Sequence, residues 1–140
     1  IISTGMSTFK QIKKAVRILG HKNLGILHCN SSYPAKYEEL NLKLIPKLKK
    51  IFPKSIIGYS GHEIGNFPTI IAVCKGARVV ERHITIDQKM VGFDHSLSLE
   101  PIELKNLIEQ IRKIELLRGS SEKRILKSEL IKKNPHLTMK

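Results

Sequence analysis

The sequence predicts an α/β fold that is built on a parallel sheet. Short apolar runs alternate with longer amphipathic segments, which is the pattern of βα units. Four such units fit within about the first 117 of the 140 residues. A chain of this length can bury an ordinary core, and an apolar content of 41% argues against disorder.

The first two units occupy the first 51 residues. Ile1–Ser3 is predicted as a strand, and the helix after it has Ser7 as its N-cap and apolar residues at helical spacing, namely Ile12, Val16 and Leu19. The second strand runs from Leu24 to Leu27 and ends at His28 and Cys29. The second helix is predicted over Tyr37–Ile51, with Leu40, Leu44 and Leu48 on one stripe and a kink at Pro46.

The last two units are equally regular. Ser55–Tyr59 is predicted as the third strand, and Pro68–Lys75 as a helix that Gly76 closes. Arg78–Ile84 is the fourth strand, and Glu100–Leu117 is a helix with Pro101 in its first turn. Because a complete (βα)8 barrel needs about 250 residues, four parallel βα units amount to half of one.

The predicted domain organisation divides the chain at Gly119. Residues 1–119 form the half-barrel, and the polar, lysine-rich residues 120–140 form a linker with one helical stretch, Glu122–Lys132. The chain starts at Ile1 and ends at Lys140 without a closing element. We therefore expect a fragment of a longer protein.

The charge, the apolar runs and the cysteines of the chain limit which partners and which compartment we expect for it. A net charge of +13 suggests an anionic partner, but the lysines fall on outer helix faces and the aromatic residues do not alternate with them. Nucleic-acid binding is therefore a minor alternative. No apolar run is long enough for a bilayer, and no signal peptide is recognisable. Cys29 and Cys74 lie in apolar segments, which indicates reduced thiols and a cytoplasmic protein.

Polar residues follow all four predicted strands, at the edge where parallel α/β folds place their function. These residues are Ser3-Thr4-Gly5, His28-Cys29-Asn30-Ser31-Ser32-Tyr33, Ser60-Gly61-His62 and His83-Ile84-Thr85. Two imidazoles, His62 and His83, and the Ser60 hydroxyl could hold a divalent metal beside an anionic ligand. Imidazole favours Mn, Co or Zn, whereas carboxylate and water favour Mg.

Each residue alone has a structural alternative. A single histidine in a strand is more often structural than a ligand, and His28 could be a hydrogen-bonded core residue. Asp94 and His95 either cover the site or cap a turn. Gly5 and Gly61 could let backbone N–H groups approach a phosphate.

The order and spacing of six motifs resemble the sialic acid synthases. The motifs are Ile2-Ser3-Thr4-Gly5-Met6, Leu27-His28-Cys29, Ser31-Ser32-Tyr33-Pro34, Gly58-Tyr59-Ser60-Gly61-His62, Glu81-Arg82-His83 and Asp94-His95-Ser96-Leu97-Ser98-Leu99-Glu100-Pro101. The resemblance covers about residues 1–119. Its Tyr59-Ser60-Gly61-His62 version is similar to the animal-type members.

This resemblance implies the second half of a TIM (βα)8 barrel that condenses phosphoenolpyruvate with N-acetylmannosamine or its 6-phosphate. A divalent metal, Mn or Mg, would polarise the sugar aldehyde as a Lewis acid. By motif position, His62 and His83 would be the metal ligands. Ser3 and Ser60 would hold phosphoenolpyruvate, while Ser31, Tyr33 and Asp94 would face the sugar. Some family members carry Asn at the position of Ser31.

The resemblance also implies parts that these residues do not supply. The family's early strands provide lysines for the phosphate and an acidic residue for the sugar, and its C-terminal antifreeze-like domain lends an arginine to the partner subunit of a homodimer. We therefore expect the chain alone to be inactive. The alternative function is a non-catalytic (βα)4 domain that binds phosphorylated ligands.

Overall fold

The computed structural model describes residues 1–131. The strands are β1 (Ile2–Ser3), β2 (Gly25–Cys29), β3 (Ile56–Gly61) and β4 (Val80–Arg82). The helices are α1 (Phe9–Leu19), α2 (Leu44–Ile51), α3 (Phe67–Cys74), α4 (Pro101–Leu117) and α5 (Lys127–Ile131). Two 3₁₀ turns, Tyr37–Glu39 and His95–Leu97, lie in the loops that follow β2 and β4.

The strands form one parallel sheet in the order β1-β2-β3-β4, with helices between successive strands. This arrangement confirms the predicted α/β fold of four parallel βα units. In register, Ile26 of β2 lies beside Ile57 of β3, and Tyr59 lies beside Val80 of β4. Within the described residues, β1 pairs only with β2 and β4 only with β3, so each has a free edge.

The core lies between the sheet and the helices that cover one of its faces. Ile26, Ile57 and Tyr59 project from the strands toward this layer, and each is at most 1% exposed. Val16 of α1 and Leu48 of α2 pack against them. We call this the helix face of the sheet, and the opposite side the inner face. Because side chains alternate along a strand, neighbouring residues serve different faces.

The predicted helix over Tyr37–Ile51 is wrong in its first half. Only a 3₁₀ turn forms there, and α2 begins at Leu44. Asn41 has φ 48°, a left-handed conformation that an α-helix cannot contain. Pro46 does not kink α2, because it lies in the first turn, where its missing N–H costs no helical hydrogen bond.

Other boundaries differ by smaller amounts. Thr8, not Ser7, is the N-cap of α1 and forms a capping box with Gln11, while the Ser7 hydroxyl donates to Gly5 O. β3 extends to Gly61, two residues beyond its prediction. Of the helical stretch predicted over 122–132, only Lys127–Ile131 is helical, and Lys132 lies outside the described residues. Within residues 1–131, no helix combines the length and apolarity that crossing a membrane requires.

Candidate functional site

His62 and His83 meet at the inner face, just beyond the ends of β3 and β4. Ser60 and Glu81 are paired in the β3–β4 ladder, and each histidine follows two residues later, so its side chain lies on the same face. The two ring centroids are 5.2 Å apart, with an angle of 64° between the planes. The expected approach of the rings is therefore observed, while their role as metal ligands stays a prediction.

The hydrogen bonds of His62 fix its tautomer. Nδ1 lies 2.7 Å from the carbonyl oxygen of Asn30, which can only accept, so Nδ1 carries the proton. In the neutral form of the ring, Nε2 is then the unprotonated nitrogen and accepts a hydrogen bond from the Tyr33 hydroxyl at 2.9 Å. The Tyr33 ring stacks on the imidazole with a centroid separation of 4.2 Å.

Around His83 the site is open and acidic. Its Nδ1 lies 3.7 Å from Asp94 Oδ2, and its ring meets Tyr33 edge-on at 5.7 Å. Desolvation by burial, followed by electrostatic interactions with Cys29, Asp94 and Glu81, raises the pKa of Tyr33. Tyr33 therefore stays protonated and remains a donor. Asp94 lies at the site, although it also begins the turn His95–Leu97.

Ser60 is a buried inner-face residue whose hydroxyl donates to Glu81 Oε1 at 2.7 Å. The sequence motifs include Glu81, but they assigned it no role. Its position two residues before His83 in a strand was the available signal, because that spacing puts both on one face. A carboxylate therefore lies beside the hydroxyl that was predicted to contact an anion.

The other residues predicted to contact substrate come from the ends of β1 and β2. Ser3 lies on the inner face, in register with Leu27, and is exposed. Ser31 is also exposed, and its Oγ lies 3.9 Å from Cys29 Sγ. All seven predicted site residues thus lie at or near one end of the inner face.

Gly5 and Gly61 lie close to neighbouring side chains. A Cβ on Gly5 would collide with Ser31 Oγ, and a Cβ on Gly61 would lie 2.6 Å from Glu63 Oε2. These glycines therefore make room for protein side chains, while the approach of their backbone N–H groups to a phosphate stays a prediction.

His28 and His95 do not join the cluster. The ring of His28 faces the helices, and its Nε2 donates to Leu40 O at 2.6 Å, which confirms the alternative of a structural core histidine. Desolvation lowers the pKa of His28, against a smaller opposing effect of this hydrogen bond. His95 bonds to the Thr85 hydroxyl at 2.7 Å. Both cysteines, Cys29 and Cys74, are free thiols.

The donor set at the inner face fits a metal held by two imidazoles. Asn30 O orients His62 through Nδ1, and Asp94 lies on the Nδ1 side of His83. In each ring, Nε2 is therefore on the side opposite to Asn30 O or Asp94. Metal-binding histidines commonly use such outer partners. Among residues 1–131, no group of three or more His, Cys, Asp or Glu side chains is placed to hold a metal. Other ligands would therefore come from substrate, water or another part of the protein.

A family model described as the NeuB family matches residues 1–123. The chain belongs to the NeuB family. Human N-acetylneuraminate-9-phosphate synthase is 44% identical over 133 residues, which cover 93% of this chain and 37% of the human protein. The N,N'-diacetyllegionaminic acid synthase of Campylobacter jejuni is 43% identical over 134 residues, covering 92% and 40%.

A solved structure shares the fold of this NeuB chain. The sialic acid synthetase of Leptospira borgpetersenii, crystallised with citrate, superposes with a TM-score of 0.83 at 33% identity, covering 93% of this chain and 46% of that one. The resemblance to animal sialic acid synthases is thereby confirmed at the level of family and fold. The chain spans about two fifths of the length of the curated relatives it matches.

Proposed function

We propose that this NeuB chain supplies the metal-binding half of the active site of a sugar-acid synthase. The enzyme would condense phosphoenolpyruvate with N-acetylmannosamine or its 6-phosphate and form sialic acid or its 9-phosphate. The observation that carries the proposal is the His62–His83 pair on the inner face. A structural domain has no need to bring two imidazoles to the rim where the polar strand ends meet.

The choice of sugar rests on the relatives. The human relative is named for an N-acetylneuraminate 9-phosphate, which favours the phosphorylated sugar, but the legionaminic acid synthase is nearly as similar. Both names describe synthases of acidic sugars, so the coarser class of sialic acid or related sugar synthase is supported. The animal-type reaction is the finer proposal.

His62 and His83 would hold the divalent metal, Mn or Mg, each through Nε2. When bound, the metal supplies Lewis-acid polarisation of the sugar aldehyde. The Tyr33 hydroxyl, which donates to His62 Nε2 in this structure, would turn away to the sugar. Asn30 O would keep the ring of His62 oriented throughout, because it binds the other nitrogen.

Of the remaining site residues, some would bind phosphoenolpyruvate and the others would bind the sugar. Ser3 and Ser60 would donate to the phosphate or carboxylate of phosphoenolpyruvate, and Ser60 would release Glu81 to do so. Ser31, Tyr33 and Asp94 would face the sugar, at the more exposed side of the cluster. Glu81, released by Ser60, would then be free to accept a proton from the water that adds to phosphoenolpyruvate.

Several wider properties are part of the same proposal. The chain alone is expected to be inactive, since the lysines that the resemblance requires for the phosphate are not among these residues. The full protein would be a cytoplasmic homodimer, and the free thiols of Cys29 and Cys74 support a reducing compartment. Neither nucleic acid nor membrane is proposed as a partner.

A chimera tests the function directly. The segment of human N-acetylneuraminate-9-phosphate synthase that aligns with this chain is replaced by the chain, and the product is detected by mass spectrometry with either form of N-acetylmannosamine. We expect a manganese-dependent product that His62→Ala abolishes. The matched control is His21→Ala, which removes an exposed histidine elsewhere and should leave turnover unchanged.

Two outcomes would contradict the proposal. A folded chimera without turnover that still binds phosphoenolpyruvate would favour the non-catalytic phosphate-binding alternative. Turnover that survives His62→Ala would exclude His62 as a metal ligand.

A further inference from the structure

A buried ion pair lies directly behind the two histidines, on the helix face of the sheet. Arg82 Nη1 is 3.1 Å from Glu63 Oε1, and the exposed fractions of the two side chains are 2% and 0%. Burying such charges is costly unless hydrogen bonds satisfy them. The pair therefore requires an explanation beyond simple packing.

Further hydrogen bonds surround this pair, although Arg82 Nε is buried without a partner among the described residues. The Tyr59 hydroxyl donates to Glu63 Oε2 at 2.8 Å, and the Thr69 hydroxyl donates to Oε1 at 2.8 Å. Arg82 donates to the backbone carbonyls of Glu63 and Gly65, each at 2.8 Å, and to Thr69 Oγ1 at 2.9 Å. We call these side chains, Tyr59, Glu63, Thr69 and Arg82, the buried network.

The buried network begins where the strand ladder stops. The last β3–β4 register pair is Gly61 with Arg82, so no ladder pair joins the two strands at His62 and His83. Glu63 directly follows His62, and Arg82 directly precedes His83. Hydrogen bonds from Arg82 to the backbone and side chain of Glu63 therefore replace the missing ladder at the level of the two rings.

We propose that Arg82 and Glu63 are positioning residues that fix the spacing of His62 and His83, and this inference rests on the proposed metal-binding function. Strand alternation puts the histidines on the inner face and the ion pair on the helix face. The pair thus sets the backbone under each ring without touching the metal or the substrates.

An arginine is suited to this task and a lysine is not. The planar guanidinium reaches several acceptors in fixed directions, and here it contacts Glu63 and Gly65 in the loop after β3 and Thr69 in α3. A lysine would keep the charge beside Glu63 but would not keep the fixed geometry. Arg82→Lys consequently separates the positioning role from simple charge neutralisation.

The test measures ring geometry and metal affinity in the 140-residue chain. Arg82→Lys is compared with the wild type and with Ile57→Val, a control that weakens the same face without touching the buried network. We expect the nuclear Overhauser effects between the two imidazole rings to disappear in Arg82→Lys. Its Co²⁺ affinity should fall about 10- to 100-fold, the usual effect of removing an outer-shell partner. The control should retain both properties.

The outcomes separate this inference from the function on which it rests. A folded Arg82→Lys chain with unchanged Overhauser effects and Co²⁺ affinity overturns the positioning role. A wild type that binds no Co²⁺, combined with separated rings in Arg82→Lys, supports positioning and refutes the metal site. If Arg82→Lys does not fold, Glu63→Gln removes the charge with which Arg82 pairs, and an unchanged ring geometry in that variant overturns the proposal.

Discussion

The two faces of the sheet carry buried histidines whose second ring nitrogens differ in use. Both rings donate to a backbone carbonyl, and desolvation lowers the pKa of His28 on the helix face. His62 on the inner face keeps Nε2 for an exchangeable partner, the Tyr33 hydroxyl. Both lie at the end of an apolar strand, yet strand alternation sends one to the core and the other to the rim. The face of the sheet, rather than the residue type, therefore decides which histidine keeps a ring nitrogen for an exchangeable partner.

The same contrast applies to the two carboxylates near the site. Glu63 on the helix face is fully buried and bound by Arg82, Tyr59 and Thr69. Glu81 on the inner face is exposed, and among the described residues its side chain is bound to Ser60 alone. A carboxylate with fixed partners stabilises geometry, whereas one that can exchange partners is available to substrate.

The largest expected effect is self-association of the isolated chain, which we expect the inner face to drive and the covered helix face not to drive. The inner face leaves Ile56 47% exposed, Ile84 just beyond β4 is 67% exposed, and β1 and β4 have free edges within the described residues. We expect the isolated chain to dimerise or aggregate despite its charge of +13. Light scattering at moderate salt measures this, and a monodisperse monomer with a cooperative thermal transition would contradict it.

Two adjacent isoleucines give the sharpest stability contrast. Ile57 is 1% exposed on the helix face, and Ile56 is 47% exposed on the inner face. Ile57→Ala should lower the free energy of unfolding by about 2–5 kcal/mol, because it leaves a cavity. Ile56→Ala should change it by less than about 1 kcal/mol. Urea unfolding compares them, and equal losses would mean that the inner face is covered as well.

The two faces should also differ in how much stability is lost when a hydroxyl that donates to a carboxylate is removed. Thr69→Val removes a donor from the buried Glu63 and should cost about 1.5–3 kcal/mol, since a buried charged acceptor loses its partner. Ser60→Ala removes a donor from Glu81, which water can replace, and should cost less than about 1 kcal/mol. The same urea titration applies, and the reverse order of losses would refute the assignment of the two faces.

The smallest expected effect is a pH dependence that arises from His28. Its pKa is lowered in the folded chain, so the unfolded chain binds more protons once the pH falls below about 6.5. Stability is therefore fully present above that pH and decreases as the pH falls, by at most about 1.4 kcal/mol per unit for one proton. His28→Gln retains a donor toward Leu40 O and should reduce this slope. An unchanged slope would show that His28 does not contribute to it.

Local patterns in the sequence were sufficient to predict most of the fold. Alternating apolar runs placed all four strands, and Pro101 marked the start of α4. The break before α2 was missed, because the helical spacing of Leu40, Leu44 and Leu48 continues across Asn41, where the backbone turns left-handed. Thr8 was missed as N-cap since Ser7 has the same chemistry, and only the reciprocal contact with Gln11 distinguishes them.

The proximity of the candidate site residues was predictable where strand alternation and motif position agreed. His62 and His83 were identified because both follow strands on neighbouring units. The buried network was missed, because an Arg–Glu pair that is 19 residues apart in sequence has no local pattern that predicts its contact. The Asn30 carbonyl was missed for the same reason, since a backbone acceptor leaves no signal in the residue type.

Cobalt titration of the isolated chain tests the central claim that the inner-face histidines share one metal ion. Co²⁺ binding is followed by its visible absorption in the wild type, His62→Ala, His83→Ala and the control His21→Ala. We predict one site in the wild type and the control. Each inner-face variant should lose more than about 100-fold in affinity, because removing a ligand costs more than removing its outer-shell partner. Unchanged affinity in either His62→Ala or His83→Ala would contradict a shared metal site.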